Sequence, residues 1–101
     1  MADLSRNAAQ STNSTAELGQ LLRAYRKSRN MSQVEAAALA GVGERFLSEL
    51  ERGKSTAEIG KVFNVLNRFG LTLTIARRGG RPLFDDEALS DELNEPLEAL
   101  S

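Results

Sequence analysis

Apolar positions along the chain keep a helical spacing as far as Phe69 and then switch to strict alternation. Leu18, Leu21, Leu22 and Tyr25 form one stripe, which predicts a first helix ending near Arg29-Asn30. A shorter, alanine-rich run opens at Ser32 and stops at Gly41. Phe46, Leu47 and Leu50 then share the inner side of a third helix, which begins at or beside Gly43 and closes at Gly53. Ile59, Val62, Phe63, Leu66 and Phe69 lie on one face of a fourth, with Gly70 as its stop. Three of the four starts carry the same signature: Ser14-Thr15-Ala16-Glu17, Ser32-Gln33-Val34-Glu35 and Ser55-Thr56-Ala57-Glu58. Each sets a hydroxyl and a carboxylate three residues apart, the capping box that satisfies free amides at a helix start. Beyond Gly70, Leu71, Leu73 and Ile75 alternate with Thr72, Thr74 and Ala76, which predicts a strand over 71–77. A lone strand leaves its backbone groups unpaired on both edges. The economical solution is a symmetric homodimer whose strands pair across a two-fold axis.

The two ends lack this spacing. Residues 1–13 are polar and rich in Ser, Asn and Ala, and read as a disordered arm. Residues 79–101 open with Gly79-Gly80-Arg81-Pro82 and read as an acidic, disordered tail. The folded unit expected between them is 14–78. Its charge differs sharply from that of the whole chain, whose formal net charge is −1. Residues 1–78 carry 12 Lys/Arg against 7 Asp/Glu, whereas 79–101 carry Arg81 against seven acids. A basic domain of this kind suits a phosphate backbone, which the chain average conceals.

Composition narrows the chemistry further. The chain has no Cys and no His, so a disulfide framework and thiolate zinc sites are excluded and the commonest general base is missing. Catalysis would have to rest on carboxylates, Lys or the lone Tyr25; an enzyme is not expected, nor a metal or cofactor. No run approaches the roughly 18 apolar residues of a membrane span, and residues 1–15 lack the apolar core of a signal peptide, so a cytoplasmic protein is expected.

Residues 32–54, SQVEAAALAGVGERFLSELERGK, gather the strongest local signal. Two short helices meet at Ala40-Gly41-Val42-Gly43, where Gly41 can take the left-handed backbone of a tight turn and Val42 can plug the gap. Ala36 and Ala37 are small enough for the next helix to cross closely. The SQxE start, the AGV turn and the LERGK end resemble the XRE or phage repressor/Cro family of helix-turn-helix domains, over about Leu18 to Phe69. The resemblance implies an all-α, lambda repressor-like domain of four to five helices, its C-terminal strand paired across a dimer. It also implies that the second helix of the motif enters the major groove of DNA. Glu44, Arg45, Ser48 and Glu49 are then the outward, base-reading positions. Arg45 can bridge guanine O6 and N7, and Glu44 or Glu49 can accept from cytosine N4, orient Arg45, or stand as solvated helix residues. These two acids depart from the Gln-rich helix of the phage relatives and leave base preference open. Gln33, Arg52, Lys54 and Ser55 are implied contacts to the DNA backbone. Arg26 and Glu51 are implied to form a structural ion pair beneath the recognition helix. Arg23, Lys27 and Arg29 lie on the first helix away from Leu21 and Leu22, on a solvated face from which Lys27 or Arg29 could touch a phosphate.

A narrower resemblance lies in LSELERGK, the pattern TAxIGKVxxVL and the strand after FGL, which look like the HipB-like antitoxins, including the y4mF-type regulators. Members of that group dimerise through C-terminal strands and repress their own operon. Their partner is a HipA-like serine/threonine kinase toxin, sometimes with a further small subunit. The implied function is a repressor and antitoxin that binds palindromic operators and associates with the nucleoid when DNA-bound. The alternatives are a stand-alone XRE-family regulator without a toxin and a protein-interaction module. The tail mixes Leu83, Phe84, Leu89, Leu93, Leu97 and Leu100 with acids, a pattern suited also to docking on a basic partner or to competing with DNA.

Overall fold

The computed structural model describes residues 9–84. The first eight residues of the expected arm and the tail from Asp85 onward lie outside the described residues. Among the described residues four helices form: α1 (Thr15–Ser28), α2 (Gln33–Ala40), α3 (Glu44–Glu51) and α4 (Ile59–Arg68). α3 packs against both α1 and α2, and α2 packs also against α4. Leu22, Ala36, Ala37, Ala40, Leu47, Leu50, Val62, Val65, Leu66 and Phe69 close the core between them. The three buried alanines of α2, Ala36, Ala37 and Ala40, let α3 and α4 approach it, as the size of Ala36 and Ala37 predicts for α3.

All four helices end the same way. A residue in the left-handed region follows each one: Asn30, Gly41, Gly53 and Gly70. The next amide reaches back five residues, Met31 to Arg26, Val42 to Ala37, Lys54 to Glu49 and Leu71 to Leu66. This is the Schellman arrangement, which satisfies carbonyls that the helix leaves free. In three of them the residue that bonds back, Met31, Val42 or Leu71, also packs on the core edge. Asn30 is the one non-glycine at such a position, a role its short polar side chain tolerates.

The starts vary more than the sequence predicts. Ser32 and Glu35 form the full capping box. Ser14 accepts from the Glu17 amide, but the Glu17 carboxylate accepts instead from Asn13 N at 2.7 Å, one residue before the expected donor. The third box does not form. α4 begins at Ile59 with Glu58 as its cap and no side-chain capping bond. Residues 54–57 make a turn, with Ala57 N donating to Lys54 O, that tucks Ala57 against the core. Burying that methyl wins over an earlier helix start.

One further expectation is corrected by packing. The inner face of α4 is Val62, Val65, Leu66 and Phe69, while Ile59 and Phe63 point outward. The expected strand residues Leu71, Leu73 and Ile75 belong to no regular element. Leu71 is half-buried beneath the end of α4, while Leu73 and Ile75 are exposed. A strand requires a second strand's hydrogen bonds, and no described segment of this chain lies beside 71–77 to supply them.

Candidate nucleic-acid interface

The interface is built on a polar network among the helix ends. Arg26, on the last turn of α1, donates from Nε to Glu51 Oε2 at 2.6 Å and from Nη2 to Glu51 Oε1 at 2.9 Å. Its Nη1 donates to the Met31 carbonyl at 2.8 Å. Gln33, the first residue of α2, donates from Nε2 to the same Glu51 Oε1 at 3.0 Å. Both charged partners are buried, and among the described residues no buried side-chain nitrogen or oxygen lacks a partner. One forked pair thus fixes the end of α1, the start of α2 and the end of α3 in mutual register. Burial pushes the Glu51 carboxyl up. Hydrogen bonds from Arg26 and Gln33, with the charges of Arg26 and Arg23, outweigh it and hold the group below the usual carboxylate range.

Gln33 is therefore half-buried and partly engaged inside the molecule rather than wholly presented to solvent. Its amide is held in one orientation at the surface end of the network.

On α3 the four proposed reading positions divide in two. Glu44 and Arg45 are exposed, and the Arg45 side chain keeps 90% of its surface open. Ser48 and Glu49 are half-buried, one turn further along, where the helix leans on its neighbours. Glu49 accepts from Lys54 Nζ at 3.1 Å through one oxygen and faces Arg45 Nε at 3.4 Å through the other. The Lys54 hydrogen bond leads in holding the Glu49 carboxyl below its ordinary value, with a smaller contribution from Arg45. An acid engaged in this way orients two cations along one edge of α3 and is less available to accept from a base. Arg52, Lys54 and Ser55 stand exposed just beyond the helix, next to that edge. Lys61 of α4 adds a cation above the Phe46 ring, 5.6 Å from its centroid, a neighbour that no motif in the sequence marks.

Arg23 and Lys27 are exposed on α1. Arg29 turns back onto its own helix, its guanidinium 4.7 Å from the Tyr25 ring centroid and donating to Tyr25 Oη. Tyr25 Oη in turn donates to the Phe69 carbonyl. Two glycines, Gly19, which the residue pattern does not single out, and the helix stop Gly53, set the distance between α1 and the α3 end. Gly19 lies directly against the Leu50 and Glu51 carbonyls, and Gly53 against Ala16. For Gly19 only the requirement for close backbone approach explains the residue, and apolar spacing carries no sign of it; Gly53 is also required by its left-handed backbone.

The geometry offers an exposed guanidinium at the start of a short helix, flanked by cations and held by a rigid base. That is what reading a groove edge and gripping phosphates requires. The HTH_3 family model, described as helix-turn-helix, matches residues 22–75. The uncharacterized HTH-type transcriptional regulator y4mF of Sinorhizobium fredii (strain NBRC 101917 / NGR234) is 48% identical over 66 residues, which span 65% of this chain and 87% of that protein. Among solved structures, a HipB–O4 20mer complex superposes with a TM-score of 0.64 at 20% identity, over 69% of this chain and 99% of that one. A HipA–HipB–O2–O3 complex gives the same values. The fold is thus that of HipB, and the chain belongs to the helix-turn-helix family of transcriptional regulators.

Proposed function

We propose that this chain is a sequence-specific DNA-binding repressor that acts as a homodimer on palindromic operators and serves as the antitoxin of a HipA-like kinase toxin. The observation that carries the DNA reading is Arg45, open to solvent at the first turn of α3, beside Lys54 and above a buried pair that fixes the helix. Glu44, Ser48 and Glu49 complete the base-facing set, and Gln33, Arg52 and Ser55 join Lys54 on the phosphates. Support for a dimer comes from the apolar side chains left outside the core. Ile59 (64% exposed) and Phe63 (39%) on α4, with Leu73 (46%) and Ile75 (72%), are the surface a second copy would cover. The antitoxin role, and a HipA-like partner with or without a further small subunit, are supported by the likeness to HipB, which the HipA–HipB–O2–O3 complex holds together with HipA. A stand-alone regulator is the second reading, favoured by the likeness to y4mF, an HTH-type transcriptional regulator. In neither reading does the chain catalyse a reaction.

The test is a gel shift of the full chain on DNA from its own upstream region, repeated across a salt series. Binding is expected at half-sites about 34 Å apart or a multiple of that. The log–log salt slope should be about −0.9 for each neutralised phosphate. Absent or salt-insensitive binding overturns the DNA role. Co-purification with the product of a neighbouring kinase-like gene separates antitoxin from stand-alone regulator.

Two substitutions separate the assigned roles. Arg45→Ala is expected to lose about 1–3 kcal/mol of discrimination at one base position in each half-site, because a forked donor pair is removed. Lys54→Ala is expected to weaken all sequences alike and to shallow the salt slope by about one unit per site. Binding-site selection on randomised DNA reads both. Identical specificity changes in the two variants would show the assignment to be wrong.

A further inference from the structure

An open groove of about 350 Å³ is lined by Tyr25, Arg29, Met31, Leu39, Arg68 and Phe69. Its floor is apolar, with Met31 and Phe69 on the core edge and Leu39 45% exposed. Two arginines flank it. Arg29 lies over Tyr25, and Arg68 has no acidic partner among the described residues. None of the six residues belongs to the base-reading or phosphate set. We infer that this groove is the docking site for the acidic segment 85–101 of the same chain.

Complementarity and reach argue for that occupant. Residues 85–101 contain seven acids and no base, and their leucines at 89, 93 and 97 recur every fourth position among those acids. Apolar anchors at such spacing fit a groove with an apolar floor, and the intervening carboxylates match flanking guanidinium groups. The packed domain ends at Leu71, two residues after the groove residue Phe69. Fifteen residues lie between Phe69 and Asp85, a reach of up to about 55 Å when extended. Tethering on such a length gives an effective concentration in the millimolar range, so a weak contact suffices for occupancy.

The chain carries its own reporter. Tyr25 is the one tyrosine, there is no tryptophan, and Tyr25 lines the groove. Acrylamide quenching of tyrosine fluorescence in the full chain therefore reads cover over this site. A tail held more than half the time shields Tyr25. Changing Asp85, Asp86, Glu87, Asp91 and Glu92 to their amides should then raise the quenching constant about twofold. Arg68→Glu should do the same, since Arg68 is an exposed residue at the end of α4 and its reversal leaves the core intact, as far-UV circular dichroism would verify. Adding Asp91→Lys and Glu92→Lys to Arg68→Glu should restore protection. Equal quenching in wild type and the amide variant overturns the inference. So does quenching that falls as protein concentration rises, which would place the tail on a second copy. Tighter DNA binding by the amide variant with unchanged Tyr25 quenching would place it on the DNA-binding surface instead, and overturns the inference as well.

Discussion

Replacing Glu51 with alanine is expected to lower the free energy of unfolding by about 3–5 kcal/mol, the usual consequence of removing one member of a buried ion pair. Arg26 would keep one bond to the Met31 carbonyl and lose two to the carboxylate, leaving a guanidinium away from water without its counter-charge. Gln33 would lose its anchor at the same time. A domain whose helices run from residue 15 to 68 has a total stability of only about 3–8 kcal/mol, so the variant is expected to be partly unfolded at room temperature. Urea titration followed by circular dichroism measures this, and a loss below about 1 kcal/mol would mean that the pair is solvated. The same group makes stability depend on pH. Its folded pKa lies below the unfolded value near 4.3, so its contribution is complete above that pH and disappears as the pH falls through the lower folded value. Wild-type protein should lose stability in acid across that window. Glu51→Gln should be less stable at neutral pH and flatter through the acid range.

This pair was legible in the sequence only through the helix-turn-helix resemblance, because nothing in spacing or composition links Arg26 to Glu51. What spacing did reveal was local: four helices, their glycine stops, and a turn at Gly41 with Val42 as its plug. Those features are decided within five residues, by backbone conformation and by the hydrogen bond that closes each helix. The misreadings arose where distant packing decides. The Ser55–Glu58 box satisfies the local rule, yet Ala57 is pulled into the core and the helix starts later. Ile59 and Phe63 fit a helical stripe but stand on its outer edge, because α2 meets α4 along Val62, Val65 and Leu66. The alternation over 71–77 is a separate case, because the backbone partner it requires is expected from a second copy and not from within this chain. At the candidate interface, helical spacing is enough to leave Arg45 exposed on α3. The partial withdrawal of Ser48 and Glu49, and the engagement of Glu49 by Lys54, depend on how α3 leans against the other helices.

Gly19 makes the second large effect, and its prediction runs against helix propensity. It lies in the middle of α1, where alanine is normally better than glycine by about 1 kcal/mol. A Cβ at Gly19 would collide with the Leu50 carbonyl oxygen and lie 2.6 Å from the Glu51 carbonyl oxygen and 2.9 Å from its carbon. These are backbone atoms of the last turn of α3, held in place by the fully buried Leu47 and Leu50, so no side chain can swing aside. Relief requires α1 and α3 to separate, which also stretches the Arg26–Glu51 fork. Gly19→Ala is therefore expected to destabilise the protein by about 1–3 kcal/mol, the overpacking range, with the upper end favoured because the obstacle is backbone. Gly60 supplies the control. It sits in the first turn of α4, where a Cβ would meet only the Glu58 carboxylate at 3.5 Å. Gly60→Ala is expected to stabilise by about 0.4–1 kcal/mol through the unfolded chain. Helix propensity alone gives the two substitutions the same sign, whereas the close crossing of α1 and α3 gives them opposite signs. Parallel thermal melts decide between these accounts, and a raised Tm for Gly19→Ala would show that the two helices do not meet as closely as this packing requires.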